Sequence, residues 1–523
     1  MDTSVTASLR HAPSLDGLKL KWFISIDGSY HEGVPCHRGP GRENSALGAS
    51  TDGNTVAPLL DGKSCMRAWY DRLLAMHDAP EAELYHAGWR FEGVKTLGET
   101  TPESDAVNRL AEAAHRGVRA YVLACGNLRC RRFNQAAVSA LYAQGVRTAH
   151  LDNRYPLRGS NHQKFTVFMS RDSASAILGS ADIAKTRWDS SEHLAVDPDR
   201  HPTLGSQTHE LAVSIEGPAV ADLGETFRER WNDSGSRAGW PRRWSTTMIA
   251  SSLPSLPAAG THSIQVLRTY GITSRLMGYS WSPIGEFTVW ASYLKAIKAA
   301  LSYIYIEDQY FLPFYWFSSY SHGDASLAAD IVYQLGEAMK RGVTVIVTTS
   351  SKRTTWWYPY QKYQRDIGLN YLHCIRAAGS SGDVVVASLQ CDGDDVYVHS
   401  KLMIVDDEFI SVGSANVTLR SMSTDGELQI GIVDATNALA RDLRSKLWAQ
   451  HSGLPAADFI DPCLAIPRFK QSVASQRGHL KPYPLDPFAT HPRAPSAPPP
   501  PRVHAAAIRL AIDPYSGPKH LLR

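Results

Sequence analysis

Two His-x-Lys tripeptides, His162-Gln163-Lys164 and His399-Ser400-Lys401, each lead into a short apolar run, FTVF and LMIV. In an extended strand the side chains at i and i+2 share one face, so each histidine projects beside its lysine. Such a pair suits a phosphate. Lysine supplies a fixed positive charge, and imidazole, with an ordinary pKa near about 6.5, serves as nucleophile or proton donor. One His-x-Lys alone is most often an exposed pair with no chemical task; its recurrence with the same sequel makes it informative.

A small-residue turn follows each run, Gly179-Ser180-Ala181-Asp182 and Gly413-Ser414-Ala415-Asn416. Exposed backbone N–H groups, a hydroxyl and a side-chain amide are donors for anionic oxygens, which nominates Ser180, Asp182, Ser414 and Asn416 for substrate binding. An ionised Asp182 cannot donate, so the first turn should act through its backbone and Ser180, with Asp182 orienting a lysine or a backbone group. Imidazole also needs an acceptor on its second nitrogen to fix the tautomer. The acids downstream are Glu427, expected to serve His399, and Asp189 or Glu210, expected to serve His162. His193 and His209 have no second-half counterpart and are read as peripheral or structural.

The elements that must position these residues repeat as well. AAHRGVRAYVLA around Arg116 and AMKRGVTVIVTT around Arg341 both read as helix, tight glycine turn and buried strand. Glu210 opens the apolar stretch LAVSI, and Glu427 opens LQIGI. Four matched elements in one order imply an internal duplication of an α/β unit. The expected organisation is a first repeat over 1–245, a linker over 246–262 and a second repeat over 263–480. A proline-rich tail follows over 481–523, ending its densest part in Pro498–Pro501.

The chain has 523 residues, enough for two to four domains, and 54 Lys plus Arg against 51 Asp plus Glu leave a formal charge of +3. That balance gives no global field for gripping a polyanion, so nucleic acid is not an expected partner and any basic site must be local. With 43% hydrophobic and 20% charged residues the composition is that of a soluble globular protein. No apolar run reaches the about 18–20 residues of a bilayer span, and no secretory signal is read at the N-terminus. Cytoplasmic location is the default expectation, with export by a signal-less route left open. Seven scattered cysteines without Cys-x-x-Cys pairs argue against a disulfide framework or a structural zinc, and read as buried thiols.

On these residues the sequence resembles the phospholipase D superfamily, whose signature is a duplicated His-x-Lys-x4-Asp followed by Gly-Ser/Gly-x-Asn/Asp. The second copy is complete: His399, Lys401, Asp406 and then Gly413 to Asn416. The first has Met169 in place of the Asp, although SNHQKF, GSADIAKTRWD and THELAVSIEGPAV around it are similar to superfamily sequences. LRTY at 267–270, IYIEDQYF at 304–311 and KLWAQHSGL at 446–454 extend the similarity to about residues 20–465. The resemblance implies a fold of two α/β units, each a mixed β-sheet flanked by helices, packed about a pseudo-twofold axis that brings both His-x-Lys strands to one cleft. It implies His162 as the nucleophile of a phosphohistidine intermediate and His399 as acid and base. Lys164, Lys401, Ser414 and Asn416 would hold the phosphoryl oxygens. Asp406 is counted with the site as the completing motif residue, although the family's Asp supports the fold around its strand, so that Met169 should leave the enzyme active. Neither a metal nor another cofactor is implied.

The implied activity is a phospholipase D that hydrolyses the headgroup ester of glycerophospholipids to phosphatidic acid, with transfer to another alcohol as a second outcome. A nuclease or other phosphodiesterase of the superfamily is the alternative, against which the near-neutral charge counts. A cardiolipin-type phospholipid synthase is another, and those usually carry N-terminal membrane helices. A non-catalytic scaffold using the tail is supported only by Met169. Aromatic stretches at 311–317 and 356–360 suggest either peripheral docking on a phospholipid surface or buried core. A monomer is expected.

Overall fold

The structure is a computed structural model that describes residues 14–36, 47–93, 105–154, 159–200, 205–233, 248–249, 255–271, 279, 282, 285–314, 328–353 and 358–487. The predicted helix, turn and strand recur in both halves. Asp105 caps the helix Ala106–His115 by accepting the N–H groups of Val107 and Asn108 at 2.8 and 3.2 Å, and Asp330 caps Ile331–Lys340 through Val332 and Tyr333 at 2.8 and 3.1 Å. Each helix ends just before a glycine in the left-handed region, Gly117 at φ 95° and Gly342 at φ 100°. Buried β-branched strands follow.

The strands of the first half are β1 (Thr51–Leu59), β2 (Glu83–Gly88), β3 (Arg119–Cys125), β4 (Ala149–Asp152), β5 (Phe165–Met169), β6 (Ala174–Gly179) and β7 (Ala212–Glu216). Those of the second are β8 (His262–Tyr270), β9 (Tyr303–Asp308), β10 (Thr344–Thr349), β11 (Val384–Cys391), β12 (Lys401–Val405), β13 (Phe409–Gly413) and β14 (Glu427–Val433). The pairing order is β1-β7-β6-β5-β2-β3-β4 in one half and β8-β14-β13-β12-β9-β10-β11 in the other, the same order element for element. Parallel pairs lie on the β2-β3-β4 and β9-β10-β11 side, antiparallel pairs on the other, so each sheet is mixed as expected. The edge strands β1 and β8 pair antiparallel, joining the halves into one continuous sheet. One apolar cluster spans both, with Tyr85, Phe165 and Val213 from the first half and Val398, Ile404 and Ile430 from the second. Among the described residues no helix is long and apolar enough to cross a membrane.

The repeat boundaries differ from those read in the sequence. The helix Leu15–Trp22 packs on the second half: Trp22 stacks on Phe409 at 5.6 Å, and Lys21 and Trp22 both bond Glu408, at 2.7 and 3.0 Å. At the other end Leu480–Pro482 pairs with β11 and Tyr483 is buried, so the expected tail begins inside the core. The tail beyond 487 lies outside the described residues, as do 246–247 and 250–254 of the linker. Cys36, Cys65, Cys125 and Cys130 are buried thiols; Cys374 and Cys463 are exposed and Cys391 is partly so, against expectation. Phe311 and Phe314 belong to the core, where Phe314 meets Trp290 edge-on at 5.3 Å. Residues 315–317 and 356–357 of the two aromatic stretches lie outside the described residues.

Asp406 does not belong to the site. It follows β12 at the end remote from Lys401, and its carboxylate accepts the N–H groups of Leu301, Ser302 and Tyr303 at 2.8, 2.9 and 2.9 Å, bracing the start of β9. Met169 holds the matching place at the end of β5, buried in the apolar cluster. The first motif therefore lacks a brace and keeps its chemical end. Asp406→Ala should lower the unfolding free energy in urea by about 1–3 kcal/mol as three backbone N–H groups lose their acceptor, with any activity of the folded protein within about twofold of wild type. Met169→Asp should also destabilise and should not raise turnover. Loss of turnover in Asp406→Ala at unchanged stability would return Asp406 to the chemistry.

Candidate active site

The backbone brings the two motifs together through a symmetric pair of bonds across the halves. His162 N donates to Gly426 O at 2.7 Å, and His399 N donates to His209 O at 2.8 Å. These set each histidine against the acid that follows its acceptor. His162 Nδ1 lies 3.1–3.2 Å from the two oxygens of Glu427, and His399 Nδ1 lies 2.9–3.0 Å from those of Glu210. The acids are therefore exchanged between the halves, the reverse of the expected pairing. The approach is close at Gly426, where a Cβ would stand 2.3 Å from Asn161 Oδ1 and displace that side chain.

Asp189 serves neither histidine. It accepts from His193 Nδ1 at 2.8 Å and from Thr208 N at 2.7 Å and pairs with Arg200, which fixes the strand entering Glu210. Ser180 and Ser414 face the acids rather than a phosphate: Ser414 Oγ donates to Glu427 at 2.6 Å, and Ser180 Oγ donates to Glu210. Each serine also accepts the N–H of the residue after its acid, Leu428 at 3.0 Å and Leu211 at 2.9 Å. Asp182 accepts Arg90 N at 2.8 Å and lies 3.7 Å from Lys164 Nζ, orienting a backbone group and a lysine as expected. Lys164 and Lys401 each bond the carbonyl of their own histidine, and Lys401 reaches Gln309 Oε1 at 3.1 Å. Asn416 lines the cleft.

Two residues that sequence reasoning passed over break the symmetry. Arg187 Nε stands 3.2 Å from Glu210, while Ser421, seven residues after Ser414 as Arg187 is after Ser180, donates to Glu427 at 2.8 Å. A cation thus faces one acid and a hydroxyl the other. The counted spacing between the two copies was the signal available for finding both. Gln309 stood in the recognised IYIEDQYF run without a role of its own.

His209 is structural, as expected, and close behind the site. Its Nε2 lies 2.8 Å from Glu307, whose carboxylate also takes His451 Nε2 at 2.9 Å and the Tyr305 hydroxyl at 2.7 Å. Among the described residues His209, Glu307 and His451 are the group whose ligand atoms, all within 4.8 Å of one another, could hold a metal ion. Both Glu307 oxygens are already committed to donors, so the group acts as a brace between the strand leading into Glu210 and β9, which leads into Gln309. Burial opposes the Glu307 charge, but His209 outweighs it and holds the carboxyl well below its ordinary range.

His162 and His399 line one cavity of about 710 Å³. A family profile described as "Cardiolipin synthase, PLD-like domain" matches residues 293–449. Phospholipase D gamma 2 and phospholipase D beta 2 of Arabidopsis thaliana are 24% and 22% identical, over 62% and 88% of this chain and 53% and 67% of their own. These matches support membership of the phospholipase D superfamily. Phospholipase D alpha 1 of Carica papaya is 25% identical over 49% of this chain and 41% of its own, and the chain spans about half the length of most of these relatives. The superfamily fold is matched by the phosphatidylserine synthase of Haemophilus influenzae, with a TM-score of 0.51 and 11% identity over 80% of this chain and 91% of that one.

The electrostatics suit the phosphodiester chemistry of the superfamily. Burial, then Lys164 and Lys401, holds His162 well below its ordinary pKa; burial, then Arg187, does the same for His399. Both rings are neutral at pH 7, and with Nδ1 given to a carboxylate each keeps Nε2 for the cleft. Burial pushes Glu427 up to about 7 against the pull of Lys164, and Glu210 is raised by burial against Arg187. Burial also pulls Lys401 down to about 7, opposed by Glu210. As pH falls through 7, Glu427 takes a proton and would donate it to Nδ1, moving the ring proton to Nε2 and removing the nucleophilic lone pair. As pH rises through 7, Lys401 loses its charge. Phosphodiesterase kcat/KM, which reports the free enzyme, should therefore be bell-shaped with its maximum near pH 7. A profile flat between about pH 5 and 9 would contradict this assignment.

Proposed function

We propose that the protein is a phospholipase D that cleaves the headgroup phosphodiester of glycerophospholipids at a membrane surface. The observation that carries the reading is the pair of imidazoles lining one cleft, each with Nδ1 on a buried carboxylate and a lysine two residues on. His162 Nε2 attacks phosphorus, the bond to the headgroup oxygen breaks, and the protonated form of His399 gives that oxygen its proton. His399, now neutral, takes a proton from water as the water oxygen attacks phosphorus. The P–N bond breaks, its electron pair returns to His162, and phosphatidic acid leaves. Glu427 stabilises the positive charge that His162 carries while phosphorylated, and Lys164, Lys401 and Asn416 draw on the phosphoryl oxygens. The incoming negative charge of the phosphate favours protonation of His399, whose empty-site pKa burial keeps low.

A second reading, phosphatidyl transfer to an alcohol, draws support from the family profile, described as a cardiolipin synthase domain, and from the fold shared with a phosphatidylserine synthase. It differs only in which hydroxyl His399 deprotonates. Headgroup release from vesicles of mixed zwitterionic and anionic phospholipids, in excess chelator with ethanol present, tests both. Wild type should release headgroup and form phosphatidylethanol, and His162→Ala and His399→Ala should each lose about 1,000-fold or more in kcat. Strict dependence on a metal would defeat the two-histidine mechanism, and silence on every lipid would favour another phosphodiester substrate.

A further inference from the structure

The cavity that holds both histidines is far more basic than the chain. Arg90, Arg129, Arg187, Lys352, Arg353 and Arg420 line it, and Asp425 is the one carboxylate among its described lining residues. Asp425 is taken by Arg420 at 2.7 Å. Arg90 is paired with Glu92 and Arg187 with Glu210, whereas Lys352 and Arg353, in the loop after β10, make no ion pair among the described residues. Burial lowers the pKa of Lys352 although Asp394 opposes it, and burial followed by the Arg420 cation lowers that of Arg129, so both cations sit where they are poorly solvated. A single phosphodiester carries one negative charge, and the buried Lys164 and Lys401 already attend it. A zwitterionic headgroup would bring a further positive charge into this field with no free carboxylate to receive it.

We propose that the preferred substrate is a phospholipid whose headgroup carries a second phosphate, bound by Lys352 and Arg353 while the scissile phosphodiester lies between the histidines. The inference rests on the phospholipase D reading and narrows it. Cations crowded in a confined cleft gain most from a ligand that neutralises several of them at once.

The test uses monomeric dihexanoyl phosphatidylinositol and dihexanoyl phosphatidylinositol 4-phosphate below their micellar concentrations, so that surface charge plays no part. The phosphorylated lipid should show a kcat/KM at least about tenfold higher, and Lys352→Ala/Arg353→Ala should bring the ratio within about threefold, chiefly through KM for the phosphorylated lipid. Equal kcat/KM for the two lipids would overturn the inference and leave the phospholipase D reading standing. A preference that survives in the double variant would also overturn it. Stimulation of phosphatidylinositol hydrolysis by inorganic phosphate, without preference for the phosphorylated lipid, would assign the cations to a free anion instead. Hydrolysis of neither lipid, with cleavage of a single-stranded oligonucleotide, would overturn inference and reading together.

Discussion

Each imidazole of the site is oriented by a carboxylate that belongs to the other half of the chain. Glu427 faces His162 and Glu210 faces His399, so neither repeat holds a complete acid–histidine pair. The backbone bonds from His162 N to Gly426 and from His399 N to His209 enforce the exchange, and the pairing of β1 with β8 holds the halves in the register that permits it. A site assembled this way forms only when the whole duplicated sheet has formed. Folding and chemistry thus depend on the same interface.

The exchange buries several ionisable groups at one place, a costly arrangement unless every group is bonded. The structure meets the cost locally. Ser180 and Ser414 tie each acid to the turn behind it, Asp182 offsets Lys164, and the Glu307 brace anchors the strand that ends in Glu210. Symmetry is broken where Arg187 faces Glu210 and Ser421 faces Glu427. Burial raises both acids, Glu427 beside the hydroxyl to about 7 and Glu210 against the opposing pull of the Arg187 guanidinium.

Much of this was legible in the sequence because duplication gives each local pattern a control. The helix, glycine turn and strand around Arg116 and Arg341, the His-x-Lys strands and the small-residue turns all fell where matched spacing put them. The pairing of acids was misread for a physical reason: proximity in sequence favoured partners within one repeat, while a twofold axis brings together the same position of both. The serines were misread because a hydroxyl in a Gly-Ser turn suits an anion of either kind, and the nearer anion is the protein's own carboxylate. Boundaries failed at the ends, where the amphipathic segment Leu15–Trp22 and the strand Leu480–Pro482 add to the second half from outside the repeat. Asp406 was placed with the site by its motif, although its carboxylate serves backbone at the far end of the strand.

The exchange of carboxylates is tested most directly by the Nδ1 proton resonances of the two histidines, observed in protein carrying ¹⁵N-labelled histidine at low temperature. Glu427→Gln should shift the His162 signal and leave that of His399 in place, and Glu210→Gln should do the reverse. A shift of the His399 signal in Glu427→Gln, with His162 unmoved, would put each acid back in its own half and contradict the account.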